Sequence, residues 1–521
     1  KEYETMPISI RDAFLSFTLW FLRLKSSDVP LSESGLIILQ IDGLACEILH
    51  EARKKGICPF LDSLITEQKY TVGKYFSGIP SSTIVVDAEL FYGTHEGIVS
   101  FTWIDRKKKQ FRFGINNVSI HAVEEELKKT NTPLMIGGSS LMFAYGAGAQ
   151  QLDLSSSELD LHRIPQLIPK YRGIFVPLLN PIRFWKIFFV FFVNTFSSTF
   201  TSLIKRNFQY YRSAMTELLV KIFLNDYFSV LTRIEIWRGT PKIALNMSLY
   251  DHVAHIHGPR HHLTMQALAL VDFYCRELYL SITRSNRKYS FIILSDHGQI
   301  DAKLFRHITG ESIDRLIARG IGDDSYTVSV KLVGARYGEK EISVATESLR
   351  DVHILACGDT AQVYFTKSLE MPMTREVIDT EYPKLLKTLL SHPGIGWVLL
   401  RSGVAGAVLM SRSGDILFDQ GKVNKVSSSI KNLPVRRILD DLARYSQSYN
   451  IGDLVLFGAV LDGKAACLEE HEPHGAHGGF NGEEPWPFMI TNAPAVKKVL
   501  EKGEPSKEEL FHSVRALVSQ K

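Results

Sequence analysis

The chain is 521 residues long, 45% apolar, with 60 basic against 56 acidic side chains and a net charge of +4. That length exceeds one minimal core and calls for a large α/β domain with insertions, or two to three structural units. The near balance of charge excludes the concentrated basic surface of a nucleic-acid-binding protein. The five cysteines, Cys46, Cys58, Cys275, Cys357 and Cys467, are widely spaced with no Cys-x-x-Cys pair. Neither a disulfide framework nor a zinc ribbon is supported, and they are expected to be buried apolar residues.

In chain order, residues 10–22 form an apolar helix candidate ahead of the first strand. The run 36–41 reads as a buried strand that ends on Asp42-Gly43. A second run at Tyr75-Phe76 leads into Pro80-Ser81-Ser82-Thr83, followed by the helix-like stretch 84–90. The segment 120–239 interrupts this alternation and contains the apolar stretch 184–204, whose only charge is Lys186. Roughly 20 apolar residues cross a bilayer. A single crossing here would place two halves of one site on opposite sides of a membrane, so the stretch is read as a buried cap helix, as a helix at a lipid interface with Lys205-Arg206 at the headgroups or, last, as a spanning segment paired in a re-entrant hairpin.

The run 243–250 ends on Asp251-x-x-x-His255, and after a long helix the run 291–294 ends on Asp296-His297-Gly298. Strands alternating with helices predict a mostly parallel sheet with helices on both faces. Ligands bind at the carboxyl ends of such strands, where Asp42, Thr83, Asp251 and Asp296 emerge. Between 300 and 462 lie short β-like runs, among them 326–330, 361–365 and 396–400, separated by turns such as Ser413-Gly414-Asp415 and Asp462-Gly463. They predict a smaller mixed or antiparallel β lobe covering the site. The last motif is Gly475-Ala476-His477-Gly478. The expected divisions are an N-terminal apolar helical segment (1–35), core segments (36–119, 240–299 and 450–521), the helical apolar insertion (120–239) and the β lobe (300–449). No P-loop or Gly-x-Gly-x-x-Gly fingerprint follows a strand, which disfavours a P-loop nucleotide enzyme.

Carboxylates placed just past buried strands are costly unless a cation neutralises them. Asp296 and His297 are adjacent, and Asp251 and His255 stand four residues apart, a spacing that one helical turn or a compact loop closes onto one ion. Oxygen and imidazole ligands without thiolates suit Zn²⁺, Mn²⁺ or a related divalent ion.

The ordered words Ile41-Asp42-Gly43, Pro80-Ser81-Ser82-Thr83, Asp251-x-x-x-His255-x-x-Gly258-Pro259, Asp296-His297-Gly298 and Gly475-Ala476-His477-Gly478 resemble the alkaline phosphatase superfamily. More narrowly, they resemble its type I phosphodiesterase/nucleotide pyrophosphatase branch. The resemblance implies an alkaline-phosphatase-like fold and two divalent ions, with Zn most favoured and Mn the alternative. One ion would be held by Asp42, Thr83, Asp296 and His297, the other by Asp251, His255 and His477. It further implies that Thr83 is the nucleophile of a phosphoric ester hydrolase working through a phosphothreonine intermediate. A hydroxyl needs such activation at neutral pH.

Other assignments compete at each position. Ser82 competes with Thr83 as nucleophile, with Ser81 and Ser82 otherwise expected as capping residues. His474 competes with His477, and His252, His257, His261 and His262 crowd the second ligand set. Asn246 opens a glycosylation sequon but lies in an expected buried strand, which makes it a chance match. Ala254 stands where the family has glycine, and Ser100-Phe101 where the nucleotide pyrophosphatases carry a phosphate-clamping asparagine. That departure, with the apolar insertion, turns the expected substrate toward a lipid-like or hydrophobic phosphoric ester with peripheral membrane contact. The other classes carried forward are a phospho- or sulfo-transferase of the same superfamily and a non-catalytic membrane-associated binding protein. The chain opens on Lys1, in keeping with a trimmed or mature form, and compartment and oligomeric state stay open.

Overall fold

The computed structural model describes residues 30–114, 116–158, 224–331, 343–344, 349–403, 406–430, 434–469 and 474–519. At its centre is a seven-stranded sheet in the order Thr71–Lys74, Phe488–Thr491, Tyr289–Leu294, Gly35–Ile41, Lys242–Met247, Ser139–Leu141, Leu152–Leu154. The last five run parallel, and antiparallel pairing is confined to the two strands at the Thr71 edge.

Gly35–Ile41 is buried along its whole length, which is why it reads as a continuous apolar run rather than an alternating one. Its side chains still alternate between faces. Leu36 and Ile38 join a cluster with the helices Thr83–Tyr92, Asn117–Thr130 and Lys507–Ser519. Ile37, Leu39 and Ile41 join another with Cys46–Lys54, Pro59–Thr66 and His262–Thr283. Helices therefore cover both faces, and each fully buried Leu or Ile between them contributes about 1.5–3 kcal/mol.

An eight-stranded, largely antiparallel sheet forms the second lobe, with one parallel pair between Thr327–Lys331 and Asp351–Cys357. Its centre includes Leu454–Gly458, which pairs with Thr360–Phe365 and with Ile395–Ser402. The lobe thus draws a strand from beyond residue 450. In the same way, Ser139–Leu141 and Leu152–Leu154 extend the main sheet from within the segment read as an insertion. Val455 and Phe457 face the main core while Leu454 and Leu456 face the helices of the lobe, so the two units share apolar contact. All five cysteines are buried and free. The apolar stretches 10–22 and 184–204 lie outside the described residues. Among the described residues no helix is long and apolar enough to cross a membrane.

Candidate active site

The carboxyl ends of three adjacent parallel strands and the amino end of the helix after Thr71–Lys74 meet at one place. Asp42 follows Gly35–Ile41, Asp296 and His297 follow Tyr289–Leu294, and Thr83 is the first residue of the helix Thr83–Tyr92. Asp251 and His255 lie one turn apart on the helix Leu249–His257, directly after Lys242–Met247. His477 arrives from the opposite end of the chain, next to the short strand Gly475–Ala476 that pairs with Ile300–Leu304.

All seven residues gather in one cluster. Thr83 Oγ1 lies 3.1 Å from His297 Nε2. The same nitrogen is 3.3 Å from Asp296 Oδ2 and 3.7 Å from Asp42 Oδ1. His255 Nε2 is 3.5 Å from Asp251 Oδ2. The rings of His297 and His477 stack with centroids 3.8 Å apart, and His255 stands 5.1 Å from His477. Asp42, Asp296 and His297 present ligand atoms within 4.8 Å of one another, as do Asp251, His297 and His477, so His297 lies between the two groups.

The three imidazoles are prepared in the same way. Nδ1 of His255 meets the Gly475 carbonyl at 2.9 Å, Nδ1 of His297 the Gly298 carbonyl at 3.0 Å, and Nδ1 of His477 the Ser81 carbonyl at 3.0 Å. A carbonyl only accepts, so each Nδ1 carries the proton and each Nε2 keeps its lone pair for a ligand. On the carboxylates, Asn246 Nδ2 donates to Asp42 Oδ2 at 2.9 Å and Gly43 N to Asp296 Oδ1 at 3.2 Å. The other oxygens, Asp42 Oδ1 and Asp296 Oδ2, are buried with no hydrogen-bond partner. Orphaned oxygens of this kind fit a cation. Gly43 has φ +74°, and a Cβ there would lie 2.5 Å from Asp251 Oδ1, so this position needs glycine for the two carboxylate loops to approach.

Electrostatics point the same way. Burial, then the charges of Asp296 and Asp251, raise Asp42 well above the carboxylate range. Burial, then Asp87 and Asp251, push Asp296 up to about 7. Partial burial raises Asp251 too, but His255, His477 and His297 outweigh it and bring it down to about 2. Burial, then His297 and His255, hold His477 well below the usual imidazole range and keep it neutral. The cluster without cations cannot ionise all its carboxylates at neutral pH, and divalent ions remove that restriction.

A stability consequence follows from the raised group. Unfolded, Asp296 ionises near its ordinary value of 3.8, whereas folded it holds its proton to about 7. In chelator the melting temperature should fall as pH rises from 4 through 7, approximately the window between those values. Divalent ions should abolish that fall. A chelated protein whose melting temperature rises across the window would contradict the assignment.

The competing residues sort out by geometry. Ser82 is the N-cap residue of the Thr83 helix but makes no side-chain capping bond, and its Oγ is buried without a partner. Ser81 is not a cap either. Its hydroxyl donates to Gly479 O at 2.9 Å and accepts from Gly478 N at 3.0 Å, tying the Thr83 loop to the His477 loop. His474 touches the site through its backbone, its N–H donating to His255 O at 2.7 Å. His257, His261 and His262 stack on one another in a separate group, with centroids 5.0 and 4.2 Å apart. Sequence reasoning missed Asn246 and Gln299 as partners of the carboxylates, the latter donating to Asp251 Oδ1. The available signal was position, since both sit within a few residues of a motif at a strand end.

The sequence model of the type I phosphodiesterase / nucleotide pyrophosphatase family matches residues 36–332, more than half of the chain. Murine ectonucleotide pyrophosphatase / phosphodiesterase 5 superposes with a TM-score of 0.50 at 12% identity, covering 93% of this chain and 95% of that one. The human counterpart gives 0.50 at 12%, covering 93% and 94%. A mutant of the alkaline phosphatase PafA gives 0.50 at 12%, covering 94% and 96%. At that identity these likenesses establish the fold. No curated protein sequence matches the chain. The fold is that of the alkaline phosphatase superfamily, and the class is phosphoester hydrolase. Within that class, the chain belongs to the type I phosphodiesterase / nucleotide pyrophosphatase family.

Proposed function

We propose that this protein is a two-metal phosphoric ester hydrolase in which Thr83 is the nucleophile and a phosphothreonine is the intermediate. The observation that carries the reading is the position of Thr83 Oγ1, 3.1 Å from His297 Nε2, at a helix N-terminus and beside two orphaned carboxylate oxygens. Asp42, Thr83, Asp296 and His297 would hold one ion, and Asp251, His255 and His477 the other. Nitrogen and oxygen donors without thiolate favour Zn²⁺, with Mn²⁺ the alternative. When bound, such ions supply the positive charge that lowers the pKa of a hydroxyl and offsets the charge on attacking and leaving oxygens.

The residues do the rest. Thr83 Oγ bonds to phosphorus as the bond to the leaving oxygen breaks, and the leaving group departs with a proton drawn from solvent. Val85 N and Val86 N donate to Ser82 O, which leaves the N–H groups of Thr83 and Ile84 at the helix start to face the phosphoryl oxygens. Water then adds to phosphorus, the Oγ–P bond breaks, and Thr83 regains its proton. Two in-line displacements give net retention at phosphorus. Ser81 holds His477 throughout, through its carbonyl on Nδ1 and its hydroxyl on Gly478 and Gly479.

Acid quenching during turnover of bis(para-nitrophenyl) phosphate, followed by peptide mass spectrometry, tests the intermediate. A para-nitrophenylphosphoryl group on the peptide carrying Thr83, lost when substrate is exhausted before the quench, is the expected result. The same group on Ser82 would transfer the role to that residue.

A further inference from the structure

Beside His477, a hairpin tip of the β lobe rests on the loop that carries this residue. The strands Asp351–Cys357 and Thr360–Phe365 pair antiparallel and turn at Gly358-Asp359. Gly358 has φ +57°, and a Cβ there would lie 1.9 Å from the carbonyl oxygen of His477, so the hairpin backbone rests directly on the ligand loop. Beside this contact two carboxyl groups are wholly buried, Asp359 from the hairpin and Glu484 from the loop after His477.

Their bonding spans both ligand loops. Glu484 Oε2 accepts from Gly479 N at 2.8 Å, next to Gly478 and His477. The backbone oxygen of Glu484 accepts from Gly298 N at 2.7 Å, directly after Asp296-His297. Asp359 Oδ2 accepts from Asn481 Nδ2, and Asp359 O accepts from Gly458 N at 2.7 Å, which anchors the tip in its own sheet. One oxygen of each carboxyl, Asp359 Oδ1 and Glu484 Oε1, is buried with no hydrogen-bond partner, and the two side chains are neighbours. Two ionised carboxylates only accept, so neighbouring buried oxygens without donors call for a proton shared between them.

The surroundings enforce this. The titratable groups nearby are Cys357, Cys467 and Glu469, the last accepting from Gly358 N at 2.9 Å, and none supplies positive charge. Among the described residues no lysine, arginine or histidine pairs with Asp359 or Glu484. Burial, then the charge of Asp359, raises Glu484 well above the carboxylate range, while burial brings Asp359 to about 6.

We propose that Asp359 and Glu484 are positioning residues, a proton-sharing pair by which the β lobe holds the loops of His477 and His297 in register. This rests on the reading of those histidines as metal ligands. Glu484→Gln keeps a donor toward Asp359 and should stay within about threefold of wild-type kcat. Its activity should persist to higher pH than the wild type, because an amide has no proton to lose. Glu484→Ala leaves Gly479 N without its acceptor and Asp359 Oδ1 without its neighbour, and should lower kcat about 10–100-fold with KM little changed, and bound zinc should fall from two toward one per chain.

His477→Ala is the control. If it loses an ion while Glu484→Ala keeps wild-type zinc content and turnover, the positioning role is overturned and the ligand assignment stands. If His477→Ala keeps both ions, the ligand assignment itself fails and takes the positioning role with it. Should Glu484→Ala not fold, the Gln variant decides alone. An alkaline limb that does not move from the wild-type position overturns the proposal.

Discussion

Thr83→Ala should lower kcat by at least about 10,000-fold, the scale at which loss of a covalent nucleophile is felt. The substitution removes the hydroxyl placed at both the helix N-terminus and His297 Nε2. It leaves Asp42, Asp296 and His297 in place, so metal content should stay near two ions per chain and the melting temperature should change little. Thr83→Ser retains the hydroxyl and should recover much of the activity. Ser82 is not expected to substitute, because it is fully buried and one residue outside the helix. Steady-state turnover of an aryl phosphodiester with metal analysis of the same sample provides the check. Substantial metal-dependent turnover by the Ala variant would refute the role of Thr83.

Loss of the second ion should be nearly as damaging. His477→Ala removes one of three side chains proposed to hold it, and the neutral imidazole that stacks on His297 at 3.8 Å. A dication at a reacting phosphoryl group contributes several kcal/mol, which corresponds to about 1,000-fold in kcat/KM. Chelation of the wild type should produce at least the same loss, reversed by added Zn²⁺. The variant should not recover at Zn²⁺ concentrations that restore the chelated wild type. Equal recovery of both would show that His477 holds no ion essential to turnover.

The legible part of the site was the part written in contiguous residues. A strand buried on both faces announces itself as an apolar run, and the ligand placed after it, as Asp42 after Gly35–Ile41 or Asp296 after Tyr289–Leu294, then stands out by contrast. The spacing of Asp251 and His255 is likewise local, and the helix Leu249–His257 realises it within one turn. The short strands Ser139–Leu141 and Leu152–Leu154 were hidden because three residues set no period. Ser139 and Ser140 also pass for loop residues until Glu235 and the Tyr145 carbonyl are seen to take their hydroxyls. Leu454–Gly458 reads as a strand, but which sheet it joins is a matter of non-local pairing. The bonds from Asn246 to Asp42, and from Ser81 to a loop almost 400 residues away, are equally invisible to a local pattern.

The most direct test of the account is anomalous diffraction at the zinc edge from crystals grown with Zn²⁺ and inorganic phosphate. Two peaks are expected, one bounded by Asp42, Thr83, Asp296 and His297, the other by Asp251, His255 and His477. A catalytically competent, zinc-replete crystal with a single peak in this cluster, or with none, would contradict it.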